Sequence, residues 1–127
     1  MRFFSKIILT LCASIILAGC GPAKDEVDVT ADWSVEKFYL EARAELDDGN
    51  YLTAIEYYET LESRFPFGKY AMQAQIDVAY AYYKFEEPDS AITALDRFIK
   101  LHPRHPAVDY AYYLKGLVNF ERGGTIL

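Results

Sequence analysis

The sequence predicts an all-α fold of stacked helix-turn-helix pairs, and three observations predict it. One stretch reads Gly49-Asn50-Tyr51-x-x-Ala54-Ile55-x-x-Tyr58-x-x-Leu61-x-x-x-x-Pro66, and a later one reads Glu86-Glu87-Pro88-x-x-Ala91-Ile92-x-x-Leu95-x-x-Phe98-x-x-x-x-Pro103. Each counterpart lies 37 residues further on. The small residues Ala42, Ala79 and Gly116 recur at that same interval. Between the turns the apolar residues follow the helical period, as Val35, Phe38, Tyr39, Ala42 and Leu46 do.

A helical hairpin written twice, with the start of a third, is a tetratricopeptide-type pattern lengthened beyond the usual period of about 34 residues. Small residues let the two helices of a pair approach closely, aromatic and Leu positions fill the gap, and Pro ends the second helix. The fold class is therefore a short superhelical solenoid of about two and a half repeats.

The elements follow in order. Helix 1A starts near Ser34, an N-cap with Glu36 in the first turn, and Gly49-Asn50 breaks it. Helix 1B runs from about Leu52 to Arg64 and buries Ala54, Tyr58, Leu61 and Phe65. A loop on a Pro/Gly frame, Phe65 to Lys69, leads to helix 2A over Tyr70 to Phe85, apolar nearly all round as suits a helix packed on both sides. Pro88 opens helix 2B, which ends before His102-Pro103. Pro106 opens helix 3A, which runs to about Arg122 and is terminated by Gly123-Gly124. No helix 3B follows, so the repeat domain, residues 34–127, reads as truncated, with rings such as Tyr112 and Phe120 left partly exposed.

The N-terminus reads differently. Arg2 and Lys6 precede the nearly all-apolar run Ile7 to Leu17, the pattern of a secretory signal over residues 1–19, too short for a comfortable membrane span. It ends in Leu17-Ala18-Gly19-Cys20, which resembles the lipobox whose Cys, here Cys20, is acylated and becomes the mature N-terminus. Gly21-Pro22, in place of Asp, resembles the sorting signature for the outer membrane. Residues 20–33 are polar and acidic and read as a flexible tether.

Composition excludes several function classes. The chain has 127 residues and a net charge of −6, and removing the signal takes Arg2 and Lys6 with it, which argues against a nucleic-acid partner. Both cysteines, Cys12 and Cys20, lie before the repeat domain, so it has no disulfide or Cys-based metal site. His102 and His105 read as exposed loop histidines without further ligands or a nucleophile. Asp47-Asp48 and Glu86-Glu87 read as solvated turns. No enzyme, metal or cofactor is expected.

What remains is a groove lined by the first helix of each pair. The register places Gln73, Ile76, Tyr80, Tyr83 and Lys84 there, then Tyr110, Tyr113, Leu117 and Phe120 one repeat later, and Tyr39 and Arg43 one repeat earlier. Rings with hydroxyl tips suit an extended peptide, since each offers apolar area and a hydrogen-bonding end at low entropy cost.

With the lipobox, the repeats and Arg64-Phe65-Pro66-Phe67-Gly68-Lys69-Tyr70 in view, the chain resembles the BamD or competence lipoprotein family of the outer-membrane β-barrel assembly machinery. Ala79-Tyr80-Ala81-Tyr82-Tyr83-Lys84, Leu95 to Pro103, and Asp109 to Leu117 carry the same resemblance. Family members have about five repeats, so the chain looks like their N-terminal half. The resemblance implies a lipid anchor at Cys20, attachment to the outer membrane from the periplasmic side, and association with BamA and the other Bam lipoproteins. It also implies binding of unfolded outer-membrane protein precursors by the N-terminal repeats, while the repeats that dock BamA lie outside this chain. Together with the register, it names Phe65, Phe67, Tyr70, Tyr80, Tyr83, Tyr110 and Tyr113 as the peptide-binding set. The alternative is a structural repeat lipoprotein that organises another envelope complex without binding precursors.

Overall fold

A computed structural model describes residues 28–124. The signal, Cys20 and the first part of the tether, residues 20–27, lie outside the described residues. Among the described residues five α-helices follow one another: α1 (Val35–Asp47), α2 (Tyr51–Arg64), α3 (Lys69–Lys84), α4 (Pro88–Leu101) and α5 (Val108–Gly124). Each packs on the next in sequence, and α3 also touches α1 and α5. This is the stacking of paired helices that the register predicts: α1 with α2, α3 with α4, and α5 as the first helix of a third pair.

The repeat positions fill the core. Ala42 and Ala54 of the first pair, and Ala79 and Ala91 of the second, are fully buried where the paired helices meet. Phe38, Tyr58, Leu61, Leu95 and Phe98 fill the gaps between helices and are equally buried. Gly116, the third small residue, is exposed with nothing near a Cβ added to it. On α5 only Ala111, Leu114 and Val118 are buried, while Tyr112 and Phe120 are exposed as expected.

The first turn shows how the sequence ends a helix. The Gly49 N–H bonds the Leu46 carbonyl, the Asn50 N–H bonds the Glu45 carbonyl, and Gly49 takes a φ of +83°. That is a Schellman turn, in which glycine supplies the left-handed residue. The second pair repeats it 37 residues on, with Glu86 N–H on Tyr83 and Glu87 N–H on Tyr82. There the left-handed position, φ +62°, is held by Glu86, whose Cβ crowds the backbone in that conformation. Glu86→Gly is therefore expected to raise stability by about 0.5–1 kcal/mol. A urea midpoint that stays put or falls would contradict this.

Several expectations need correction. Residues 28–33, read as tether, are folded onto the domain. Arg64 donates to the Asp28 carboxylate at 2.5 Å and to the Thr30 carbonyl at 2.9 Å, and the Trp33 ring packs edge-on against Phe38 and Tyr57. The Thr30 hydroxyl and N–H, together with Arg64, hold the Asp28 carboxyl down to about 2. Pro106 lies in a turn rather than opening the last helix, which begins at Val108. The helical residues of α5 extend past Arg122 to include Gly123 and Gly124, the last described residues, since glycine costs about 1 kcal/mol in a helix without forbidding it. The loop histidines are half-buried: His102 packs tilted and His105 edge-on against Phe98, and His102 shares a hydrogen bond with Gln75 at 2.9 Å.

Candidate functional site

The first helices of the three pairs, α1, α3 and α5, bound a cleft of about 600 Å³ on one face. Its walls carry Tyr51, Tyr80 and Tyr110, and its polar groups are Arg43, Asp47, Gln73, Asp77 and Lys84. The repeat register places these side chains: Arg43 and Tyr80 are counterparts one repeat apart, and so are Gln73 and Tyr110. Tyr51 joins them from the start of α2, with the Lys84 ammonium 5.9 Å from its ring centre. A second cleft, on the α2 and α4 side, is lined by Glu59, Tyr82, Asp89 and Arg97. It has one ring where the first has three.

The floor of the aromatic cleft is a carboxylate that the sequence reading missed. Asp77 is 7% exposed. The Tyr39 hydroxyl donates to one of its oxygens at 3.0 Å, the Gln73 amide donates to the other at 3.0 Å, and an Arg43 nitrogen lies 3.8 Å away. Arg43 in turn reaches Asp47 at 3.3 Å, one turn on along α1. This network joins α1 to α3 and orients a guanidinium at the edge of the cleft. Beside it, the fully buried Tyr58 hydroxyl has no hydrogen-bond partner of good geometry among the described residues.

Burial pushes the Asp77 carboxyl above its ordinary value, against the opposing pull of Gln73, Tyr39 and Arg43. The Tyr39 phenol is pushed up to about 12 by burial and by the Asp77 charge. Burial raises Tyr110 likewise. Both phenols therefore stay protonated donors near neutral pH. For Asp77 the sign follows directly. A carboxyl whose folded value is raised binds more protons when folded, so its contribution is largest at low pH and is lost as pH rises from about 4 through the folded value. Asp77→Asn is expected to flatten that part of the stability-versus-pH curve, read by urea unfolding between pH 4 and 7. An unchanged slope in the variant would rule Asp77 out as its source.

The structure brings together only part of the predicted peptide-binding set. Tyr80 and Tyr110 line the cleft. Tyr83 lies beside a smaller hollow with Val118, and its hydroxyl donates to Glu121 across to α5 at 2.8 Å. Tyr113 is 64% exposed on α5. Tyr70 packs on Tyr39, with its hydroxyl donating to Glu36 at 3.1 Å. Phe65 is half-buried against Phe38, and Phe67 stands out at 88% exposure in the turn before α3. Neither Phe lines the cleft. Ile76, placed in the groove by register, does line the cleft, though at 2% exposure it is mostly part of the core beneath it. The signal for Asp77 was present: one acidic residue inside an otherwise apolar helix, one turn after Gln73.

Comparison with known proteins bears on the whole array. A model of the YfiO family, described as outer membrane lipoproteins, matches residues 31–127. The chain belongs to this family. Among its YfiO-family relatives is an outer membrane protein assembly factor BamD of Neisseria meningitidis serogroup B, 50% identical over 125 residues, covering 96% of this chain and 47% of the relative. BamD of Vibrio cholerae is 39% identical over 112 residues, covering 88% of this chain and 45% of the relative. BamD of Haemophilus influenzae is 29% identical over 127 residues. The chain spans about half the length of these relatives and corresponds to their N-terminal portion. Among the described residues no helix is long and apolar enough to cross a membrane, and no cluster of three or more His, Cys, Asp or Glu side chains could hold a metal.

Proposed function

We propose that this chain is a lipid-anchored receptor module for outer-membrane β-barrel assembly, held through Cys20 at the periplasmic face of the outer membrane, and that its aromatic cleft binds unfolded barrel precursors as extended peptides. The observation that carries the reading is the cleft between α1, α3 and α5, open on one side and walled by three tyrosines. The relatives' name, outer membrane protein assembly factor, supports the process. An extended strand presents alternate side chains to one face. Tyr80 and Tyr110 offer those side chains apolar area, while Arg43, Gln73 and Lys84 offer hydrogen-bonding groups to its backbone and carboxylates. Tyr70, Tyr83 and Tyr113 would extend the track at its edges. Association with BamA and the other Bam lipoproteins belongs to the same proposal.

Site-specific photocrosslinking tests it. A photoreactive side chain at Tyr80 or Tyr110 is expected to capture newly exported barrel precursors in cells, and one at Tyr112, outside the cleft, is not. Capture only of folded envelope proteins at Tyr80 would favour a purely structural lipoprotein and would end the precursor reading.

A further inference from the structure

The array has two chemically unlike ends. The connections between packed helices are only a few residues long, so successive helices run in opposite directions. One end therefore holds the entry of the chain at Asp28 and the turns from α2 to α3 and from α4 to α5. Side-chain bonds agree: Asp28 meets Arg64, and Glu36 meets Tyr70. The other end holds the turns from α1 to α2 and from α3 to α4.

At the entry end Phe67 is 88% exposed and Leu101 58% exposed. Around them stand Lys69, Lys100 and Arg104, and residues 65–69 and 100–107 contain no acidic residue. The opposite turns carry Asp47, Asp48, Glu86 and Glu87. Asp32, Glu36 and Asp109 do stand near the starts of α1 and α5, so the entry end is close to balanced in charge, while the far end is plainly acidic.

We propose that the entry end is a lipid-facing surface, with Phe67 and Leu101 entering the headgroup region of the bilayer and Lys69, Lys100 and Arg104 against lipid phosphates. An exposed ring on a turn, flanked by long cationic side chains, suits the boundary between water and hydrocarbon, where stems bury and charges stay wet. Anionic lipid repels the acidic far end, which leaves the nearly balanced entry end, with its exposed cations, as the one that can approach it. The proposal rests on the acylation of Cys20. Cys20 and Asp28 are eight residue steps apart, with seven residues between them, and such a stretch spans at most about 28 Å. Asp28 is bound to Arg64, the residue before the turn that carries Phe67. The far end lies a helix length beyond, about 24 Å for the 16 residues of α3. An anchor at Cys20 thus keeps the entry end within about 28 Å of the membrane, and the surface chemistry of the two ends then decides which one faces it.

Depth-dependent quenching tests this on the full acylated protein in vesicles of phosphatidylcholine and phosphatidylglycerol with brominated acyl chains. In a Trp33→Phe background, which removes the only tryptophan, a reporter is placed by Phe67→Trp at the entry end or by Phe85→Trp in the α3–α4 turn. The Phe67→Trp reporter is expected to be quenched at least threefold more strongly and to emit further to the blue. Equal quenching of the two, or stronger quenching of the Phe85→Trp reporter, overturns the proposal. Coupling the mature chain to a maleimide lipid through Cys20, its sole cysteine once the signal is removed, gives the same comparison without natural acylation. Mass spectrometry showing an unmodified Cys20 would therefore overturn the anchor alone, and the maleimide arm would still decide the orientation.

Discussion

Phe98→Ala is expected to destabilise the domain by about 3–5 kcal/mol, a large share of the roughly 5–15 kcal/mol that a domain possesses. Phe98 is fully buried on α4 and supports both His102 and His105, whose turn leads into α5. Truncating it removes apolar contact, leaves a cavity, and takes the support from under the last helix. A stacked array has only neighbour-to-neighbour contacts, so α5 has little else to hold it: it packs on α4 and touches α3. Urea unfolding followed by far-ultraviolet circular dichroism measures the loss. Should the variant not fold at all, Phe98→Leu gives the milder case, expected to cost about 1 kcal/mol. A Phe98→Ala loss below 1 kcal/mol would show that the turn and α5 do not depend on this ring.

The second large effect concerns binding. Tyr80→Ala and Tyr110→Ala are each expected to weaken an extended peptide with alternating aromatic residues at least tenfold, about 1.4 kcal/mol or more. Both side chains line the cleft, on α3 and α5, and neither is fully buried, so each has free area to give a ligand. Tyr112→Ala serves as the control, since Tyr112 is more exposed than Tyr110 yet lies outside the cleft. Fluorescence anisotropy of a labelled peptide reads all three. Affinities within twofold of one another would move the binding site elsewhere.

How much of this was legible depended on the range of the interaction responsible. The Ser34 cap was legible because a cap is local: its hydroxyl accepts from the Lys37 N–H three residues on. The burial of Ala54, Tyr58 and Leu61 was legible because helical spacing puts them on one face. Asp77 was not placed, because its burial depends on Tyr39 and Arg43 from another helix. Phe65 reads from the sequence both as a buried residue and as a peptide contact, and only its packing on Phe38 from another helix shows the ring to be half-buried. The histidines looked solvated for the same reason: Gln75, 27 residues away in sequence, bonds His102.

By itself the sequence determined the helix count, the pairing and the register of the repeat domain, because a 37-residue period leaves each helix one way to bury its apolar stripe. It also determined the resemblance that the family match confirms. Only the tertiary structure decided which of the many tyrosines are free: the same residue type fills the core at Tyr58 and walls a cleft at Tyr80. It alone put a buried carboxylate on the cleft floor and a left-handed Glu86 in the second turn. Exposure and backbone strain arise from what neighbouring helices cover, and that is settled by packing between residues far apart in the chain.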